Sequence, residues 1–330
     1  MMAGDRAVSR MQKSEHRSLR VALRAPTLAP MIGSSDSMIN LRRATSRRLG
    51  PMPRLLRFLT VMSTGLAIAP RPALAQDRGA FFAYWGYNRA WYSWSDIHLR
   101  GDDYDFTLRH VQADDRPSPF SLKGYFTPAR IWIPQYNYRL GYFFREHWSL
   151  SLGMDHMKYV VRGGQTVRMD GYVDGTRSLQ YTTNEGSRDI RITEDFLKFE
   201  HTDGLNLLSI DADHWDLLWS SPSGRWRLRA YEGLHAGPVI PRSDVRLFGE
   251  GLNNRFNLAG YGMGAQLGLH LNFLRHFFIR NTLRAGLIDL PKVLTTGNDS
   301  DHASHRFWFV QHNVVVGGHF RLWKPRSSGR

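Results

Sequence analysis

Phe256–Phe273 reads FNLAGYGMGAQLGLHLNF, and its alternation decides the fold. Every second residue from Tyr261 (Tyr261, Met263, Ala265, Leu267, Leu269, Leu271, Phe273) is apolar or aromatic. The intervening set is Gly260, Gly262, Gly264, Gln266, Gly268, His270 and Asn272, small or polar throughout. A period of two is the strand signature, because successive side chains point to opposite faces. Strands of soluble domains usually stop near five or six residues. One this long, apolar on one face and small or polar on the other, suits a strand with lipid on one side and a narrow polar interior on the other.

The same alternation recurs on both sides of this stretch. It is found at 81–91, 132–144, 148–161, 205–219, 226–237, 277–290 and 305–323. In 205–219 the phase breaks: Ser209, Asp211 and Asp213 share a parity with Trp215, Leu217 and Trp219. A bulge at 212–214 would turn the tryptophans outward and keep the aspartates inside. Tight connections (145–147, 220–224, 274–276) alternate with long ones (92–131, 162–204, 239–255, 291–304). Alternating short and long connections predict an all-β fold: a closed antiparallel up-and-down transmembrane β-barrel of about eight strands with long extracellular loops. Counts of ten or twelve stay open. In the second long segment Thr166–Val173 and Ser178–Thr183 are expected to form a hairpin. Within ITEDFLKFEHTDG, Thr193 as N-cap, Glu194 and Asp195 in the first turn and Gly204 at the end predict a short helix.

A barrel of this kind must be exported. Residues 52–75 have the pattern of a signal peptide: Arg54 and Arg57, an apolar core from Phe58 to Ala69, and Ala73-Leu74-Ala75 before the cut. The apolar core is too short for a membrane helix. Met52 is therefore the expected start, Gln76 the expected first mature residue, and 1–51 a disordered extension foreign to the native protein. The leader and extension hold 13 of the 44 Lys and Arg but only 3 of the 29 Asp and Glu. What remains carries 31 basic against 26 acidic groups, so the charge falls from +15 to +5 and nucleic acid is not an expected partner. With no cysteine, disulfides and thiolate metal sites are excluded. No metal and no cofactor is expected.

The stretch GGHFRLW, with Gly317, Phe320, Leu322 and Trp323, resembles the C-terminal signal of Gram-negative outer-membrane proteins. One departure is that the chain continues through 324–330, whereas many such proteins end at the aromatic. With the leader and the loop pattern, residues 76–323 are similar to small eight-stranded outer-membrane barrels. That resemblance implies residence in the outer membrane, contact with the lipid bilayer and lipopolysaccharide, and insertion by the barrel-assembly machinery through the last strand. It leaves the oligomeric state open. The family includes anchors, adhesins, small-molecule conduits and lipid A-modifying enzymes, so function has to be argued from sites.

An eight-stranded interior is barely wide enough for its own side chains. The alternation directs Gln135, Asn137, Arg139, Asp155, Gln266, His270, Arg280, Arg284, Gln311, Asn313, His319 and Arg321 inward. Buried arginines need partners, and Asp155, Asp211 and Asp213 are the carboxylates expected to pair with Arg139, Arg280 and Arg284. In the first loop Asp102, Asp103, Asp105, Asp114 and Asp115 form a candidate binding surface of hard oxygen ligands, although their spacing is not that of a calcium loop. His302-Ala303-Ser304 resembles the His-x-Ser spacing of lipid A 3-O-deacylases; here it falls in a loop, and only Glu232 and Glu250 are nearby acids by topology. Asp155-His156 with Lys158 is a second candidate cluster. The expected role is binding, adhesion or envelope architecture through the loops, without catalysis. A lipid A-directed acyl hydrolase and a conduit for small hydrophobic solutes are the alternatives.

Overall fold

The computed structural model describes residues 78–251, 255–296 and 300–322. The segments 1–51 and 52–75, the cut after Ala75, Trp323 and the tail 324–330 lie outside the described residues. Eight long strands form a ring: β1 (Phe81–Tyr92), β5 (Tyr136–Arg145), β6 (Trp148–Val161), β9 (Leu197–Ser220), β10 (Arg227–Val239), β12 (Gly260–Phe273), β13 (Phe277–Leu294) and β14 (His302–Phe320). Each pairs antiparallel with the next, and β14 closes on β1 from Phe81↔Phe320 to Tyr92↔Phe309. Closure leaves the ring no unpaired edge, which is the condition for a sheet to sit in lipid. The three tight connections lie at one end, hereafter the turn end, with the start of β1 and the end of β14. The long connections lie at the other, the loop end.

The organising stretch takes the expected orientation. Leu267 and Leu269 face outward, 42% and 51% exposed, while Gln266 and His270 are buried at 6% and 0%. Leu140, Leu150, Leu152, Ile210, Leu234, Val314 and Val316 add to the outward apolar surface. Inward glycines open space for large partners. A Cβ on Gly153 would lie 2.1 Å from Arg139 Cγ, and one on Gly233 would lie 2.1 Å from Asp213 Oδ1.

The loop end departs from the expected picture. The first long segment contains β2 (Ser95–Arg100), β3 (Tyr104–Val111), β4 (Ala113–Asp114) and a one-turn helix α1 (Leu122–Phe126). The second contains β7 (Thr166–Val173), with the expected bounds, but its partner is β8 (Thr183–Arg191) rather than Ser178–Thr183. The third contains β11 (Asp244–Leu247). The top of β14 pairs with β2, and the sheet continues through β3 and β7 to β8, while β11 pairs with β9. Together with the tops of the ring strands, β2, β3, β7, β8 and β11 form a loop-end lobe that encloses an apolar core. Ile97, Leu99, Tyr104, Phe106 and Leu108 pack there with Phe196, Phe199, Leu205, Phe307 and others.

Two local expectations fail. No helix forms at 193–204: Thr193 caps a single turn, its carbonyl accepting from Phe196 and Leu197, and β9 begins at once. Phe196, Leu197 and Phe199 all bury into the apolar core, and pairing with β11 satisfies the backbone. The bulge in β9 lies lower than expected, where Leu217 and Trp219 oppose Arg229 and Leu228. Trp215 therefore points inward. Its ring stacks on Tyr231 at 4.6 Å and its Nε1 donates to Ser149 Oγ at 2.9 Å, so a cluster of inward aromatic rings that includes Phe82, Phe143 and Phe278 receives the indole with its N–H paired.

Candidate functional site

The ring interior is filled in layers. In the middle layer Arg139 donates through Nη2 to Asp155 Oδ2 at 2.6 Å and through Nε to Asp211 Oδ2 at 2.6 Å. Arg284 Nη1 lies 3.0 Å from Asp155 and 3.2 Å from Asp211. Ser209 Oγ donates to Asp211 at 2.7 Å, and Gln266 Nε2 donates to Asp213 at 2.5 Å. Two arginines and two aspartates thus form one fully buried network, the arrangement in which buried charge is tolerated.

Arg280 departs from the expected pairing. Among the described residues it has no carboxylate partner. Its guanidinium sits 4.8–5.3 Å from the ring centroids of Phe82, Tyr84, Trp215, Tyr231 and Phe278. The electron-rich ring faces attract the guanidinium. Arg280 Nε donates to His270 Nδ1 at 3.3 Å, and His270 Nε2 meets His319 Nε2 at 3.2 Å. This aromatic layer closes the turn end.

Above the ionic layer, Asn137, His235, Gln311 and Asn313 are buried with side-chain polar atoms that have no protein partner. Buried polar groups of this kind bind internal water. Higher still the interior becomes the apolar core under the loops, where His201 and His305 stack at 5.7 Å.

The candidate binding aspartates are dispersed. Asp105 accepts from His98 at 2.7 Å and faces Arg100 at 3.6 Å; Asp114 pairs with Arg162 at 2.7 Å; Asp115 accepts from the Ala90 N–H at 3.1 Å. Asp102 accepts from Ser300 at 3.5 Å, and the Asp103 carbonyl accepts from the Asp174 N–H at 2.9 Å. Several carboxylates already serve the lobe's own strands, and the five do not converge on one point. One charge cluster the sequence reading missed centres on Asp170, which receives Ser187, Arg109 and Arg168. Those hydrogen bonds, Ser187's first, hold its carboxyl well below the usual carboxylate range.

The hydrolytic candidates separate. Asp155 is consumed inside the ionic layer, whereas His156 turns the other way, stacks on Tyr136 at 4.7 Å and bonds Asn206 at 2.8 Å. Lys158 Nζ donates to the Ile133 carbonyl at 3.4 Å. His302 and Ser304 begin β14 rather than lying in a loop, and His302 Nδ1 donates to the Ser300 carbonyl at 3.0 Å. Glu250 pairs with Arg177, and Glu232 lies near His214 on β10, so neither reaches Ser304. What does lie across from Ser304 is His98, its cross-strand partner on β2, which holds Asp105.

No protein family matches the sequence, and no curated protein does either. Solved structures are similar in outline. The outer membrane protein OprG from Pseudomonas aeruginosa is 12% identical over 74% of this chain and 97% of its own, with a TM-score of 0.32. The attachment invasion locus protein Ail of Yersinia pestis, solved with the heparin analogue sucrose octasulfate, is 9% identical over 74% and 99%, with a TM-score of 0.26. The outer membrane protease OmpT from Escherichia coli is 9% identical over 76% and 99%, with a TM-score of 0.26. The role is argued from this chain's own residues.

Proposed function

We propose that this chain is a Gram-negative outer-membrane β-barrel, closed to passage, whose loop-end lobe is a preformed surface for binding another molecule at the cell exterior. The lobe carries the reading: its strands are built on a buried apolar core, so they present their outward charges from a fixed frame rather than from mobile loops. The closed ring with outward leucines and valines supports residence in lipid, with lipopolysaccharide as the outer-leaflet neighbour. The ionic and aromatic layers argue against a conduit, since Arg139, Arg284, Trp215 and Phe278 fill the section a solute would need. The leader is removed after Ala75, and β14, which closes the ring, is the strand offered to the assembly machinery.

The test uses cells expressing the full chain. On intact cells a membrane-impermeant amine reagent should label Lys123 in the first long segment, and the protein should be recovered in the outer-membrane fraction with Gln76 as its first residue by mass spectrometry. Protein reconstituted in planar bilayers should pass no ion current. Steady conductance, or a retained 1–75 segment, overturns the proposal.

A second reading has one observation in its favour. Ser304, His98 and Asp105 lie on three adjacent strands, β14, β2 and β3, in the order nucleophile, base and acid. No described hydrogen bond joins Ser304 to His98, which a working pair would need. Loss of an acyl chain from lipid A, abolished by Ser304→Ala, would establish this reading in place of the first.

A further inference from the structure

At the turn end, His147, His214 and Asp216 bring one nitrogen or oxygen each to within 4.8 Å of one another. We propose that these three residues, with Glu232, form a site for a divalent transition-metal ion, Zn²⁺ in the first instance.

The site is assembled by strand register. β9 presents His214 and Asp216 on its outer face, one on each side of inward-facing Trp215. Glu232 on β10 is the direct cross-strand partner of His214, and Trp148 on β6 is its partner on the other side, with ring centroids 5.0 Å apart. His147 comes from the β5–β6 turn and is fastened to the backbone between the other two ligands. Its carbonyl accepts the Trp215 N–H at 2.9 Å, and its Nδ1 donates to the Trp215 carbonyl at 2.7 Å.

That second bond fixes the chemistry. In the neutral imidazole, an Nδ1–H given to a backbone carbonyl places the lone pair on Nε2, the outer-shell arrangement that orients metal-binding histidines. His214 Nδ1 stands 3.6 Å from Glu232 Oε1 and 3.8 Å from Asp216 Oδ2. Those separations are too long for hydrogen bonds. They lie close to the roughly 3.3 Å between ligand atoms in a tetrahedral site with bonds of about 2.0–2.1 Å. Two imidazoles with carboxylates suit Zn²⁺ or Cu²⁺ rather than Ca²⁺ or Mg²⁺, which take oxygen shells. His214 is 31% exposed and Asp216 53% on the outer face beside the turn end, so the site lies outside the filled interior and an ion reaches it without opening the ring. A bound ion would tie the β5–β6 turn to β9 and β10.

The experiment titrates Zn²⁺ alone into the folded full chain, prepared without an affinity tag, by calorimetry, with Ca²⁺ as the competitor. Co²⁺ absorption reads the coordination number. One Zn²⁺ per chain and a four-coordinate Co²⁺ spectrum are expected. His214→Ala and Asp216→Asn should weaken binding at least about 100-fold, given that outer-shell losses alone cost up to that much. His147→Ala also removes the Trp215 contact, so Asp216→Asn, whose exposed side chain supports nothing else in the ring, decides if that variant fails to fold. Zn²⁺ binding no tighter than Ca²⁺, or unchanged in both His214→Ala and Asp216→Asn, overturns the proposal.

Discussion

Arg139 and Asp211 meet at 2.6 Å although their strands, β5 and β9, are not neighbours. β6 lies between them, and the residue it presents at the crossing is Gly153, paired with Arg139 on one side and Ser209 on the other. The arginine passes over a position with no side chain. The ionic layer therefore depends on a glycine as much as on its charges, and Gly153→Ala should disrupt it, since the new Cβ would also lie 2.1 Å from the Tyr138 carbonyl oxygen. A cost of about 1–3 kcal/mol is expected for forcing in that methyl group. Gel mobility of heated and unheated protein across a temperature series measures it, and an unshifted midpoint would refute the crossing.

Arg139→Ala should cost more. It leaves Asp155 and Asp211 with Arg284 alone, and removing one partner of a buried pair costs about 3–5 kcal/mol. A melting midpoint within error of the parent would show an interior wetted enough to solvate the freed carboxylates.

Arg280→Met should cost less than Arg139→Met. Arg280 is held by five aromatic faces, so its removal strands no partnered carboxylate, and Met fills the space among the rings. Equal losses in the two variants would mean that Arg280 balances the charge of Asp213 after all.

The lobe should lose stability separately from the ring. Phe106→Ala removes a ring packed 6.1 Å from Phe196 and 6.3 Å from Phe248, and truncations of this kind cost about 3–5 kcal/mol. Hydrogen exchange should quicken in β2, β3, β7 and β8 while the amides of β12 and β13 keep their protection. For the same reason, deleting 102–115 should uncover the apolar core rather than merely trim a loop. Uniform loss of protection across lobe and ring would contradict this division.

Asp170 contributes to the lobe's response to acid. Its folded-state pKa lies below the ordinary value of about 3.9, so its contribution is complete above that pH and is lost as pH falls through the depressed value. Exchange rates in β7 and β8, corrected for intrinsic pH dependence, should be flat from pH 7 to about 5 and rise only in stronger acid. In Asp170→Asn the faster exchange should already be present at pH 7.

The sequence by itself determined the ring. Period-two alternation over long stretches, and tight turns alternating with long connections, follow from which face meets lipid and which meets a narrow interior, and the strands other than β9 carry that pattern without a phase break. Most of the inward set, from Gln135 to Asn313, is buried, whereas Arg321 lies exposed past the end of β14. Only the tertiary structure decided what those residues do. Whether an arginine meets an aspartate or an aromatic cage depends on shear between strands far apart in sequence, and so does the meeting of His147 with His214. The alternation of Ile97 and Leu99, then of Tyr104, Phe106 and Leu108, was present in the first long segment. Its acidic spacers read as a solvated loop because the apolar surface that buries those side chains comes from β9 and β14. A strand's destination is set by what covers it, and that information lies elsewhere in the chain.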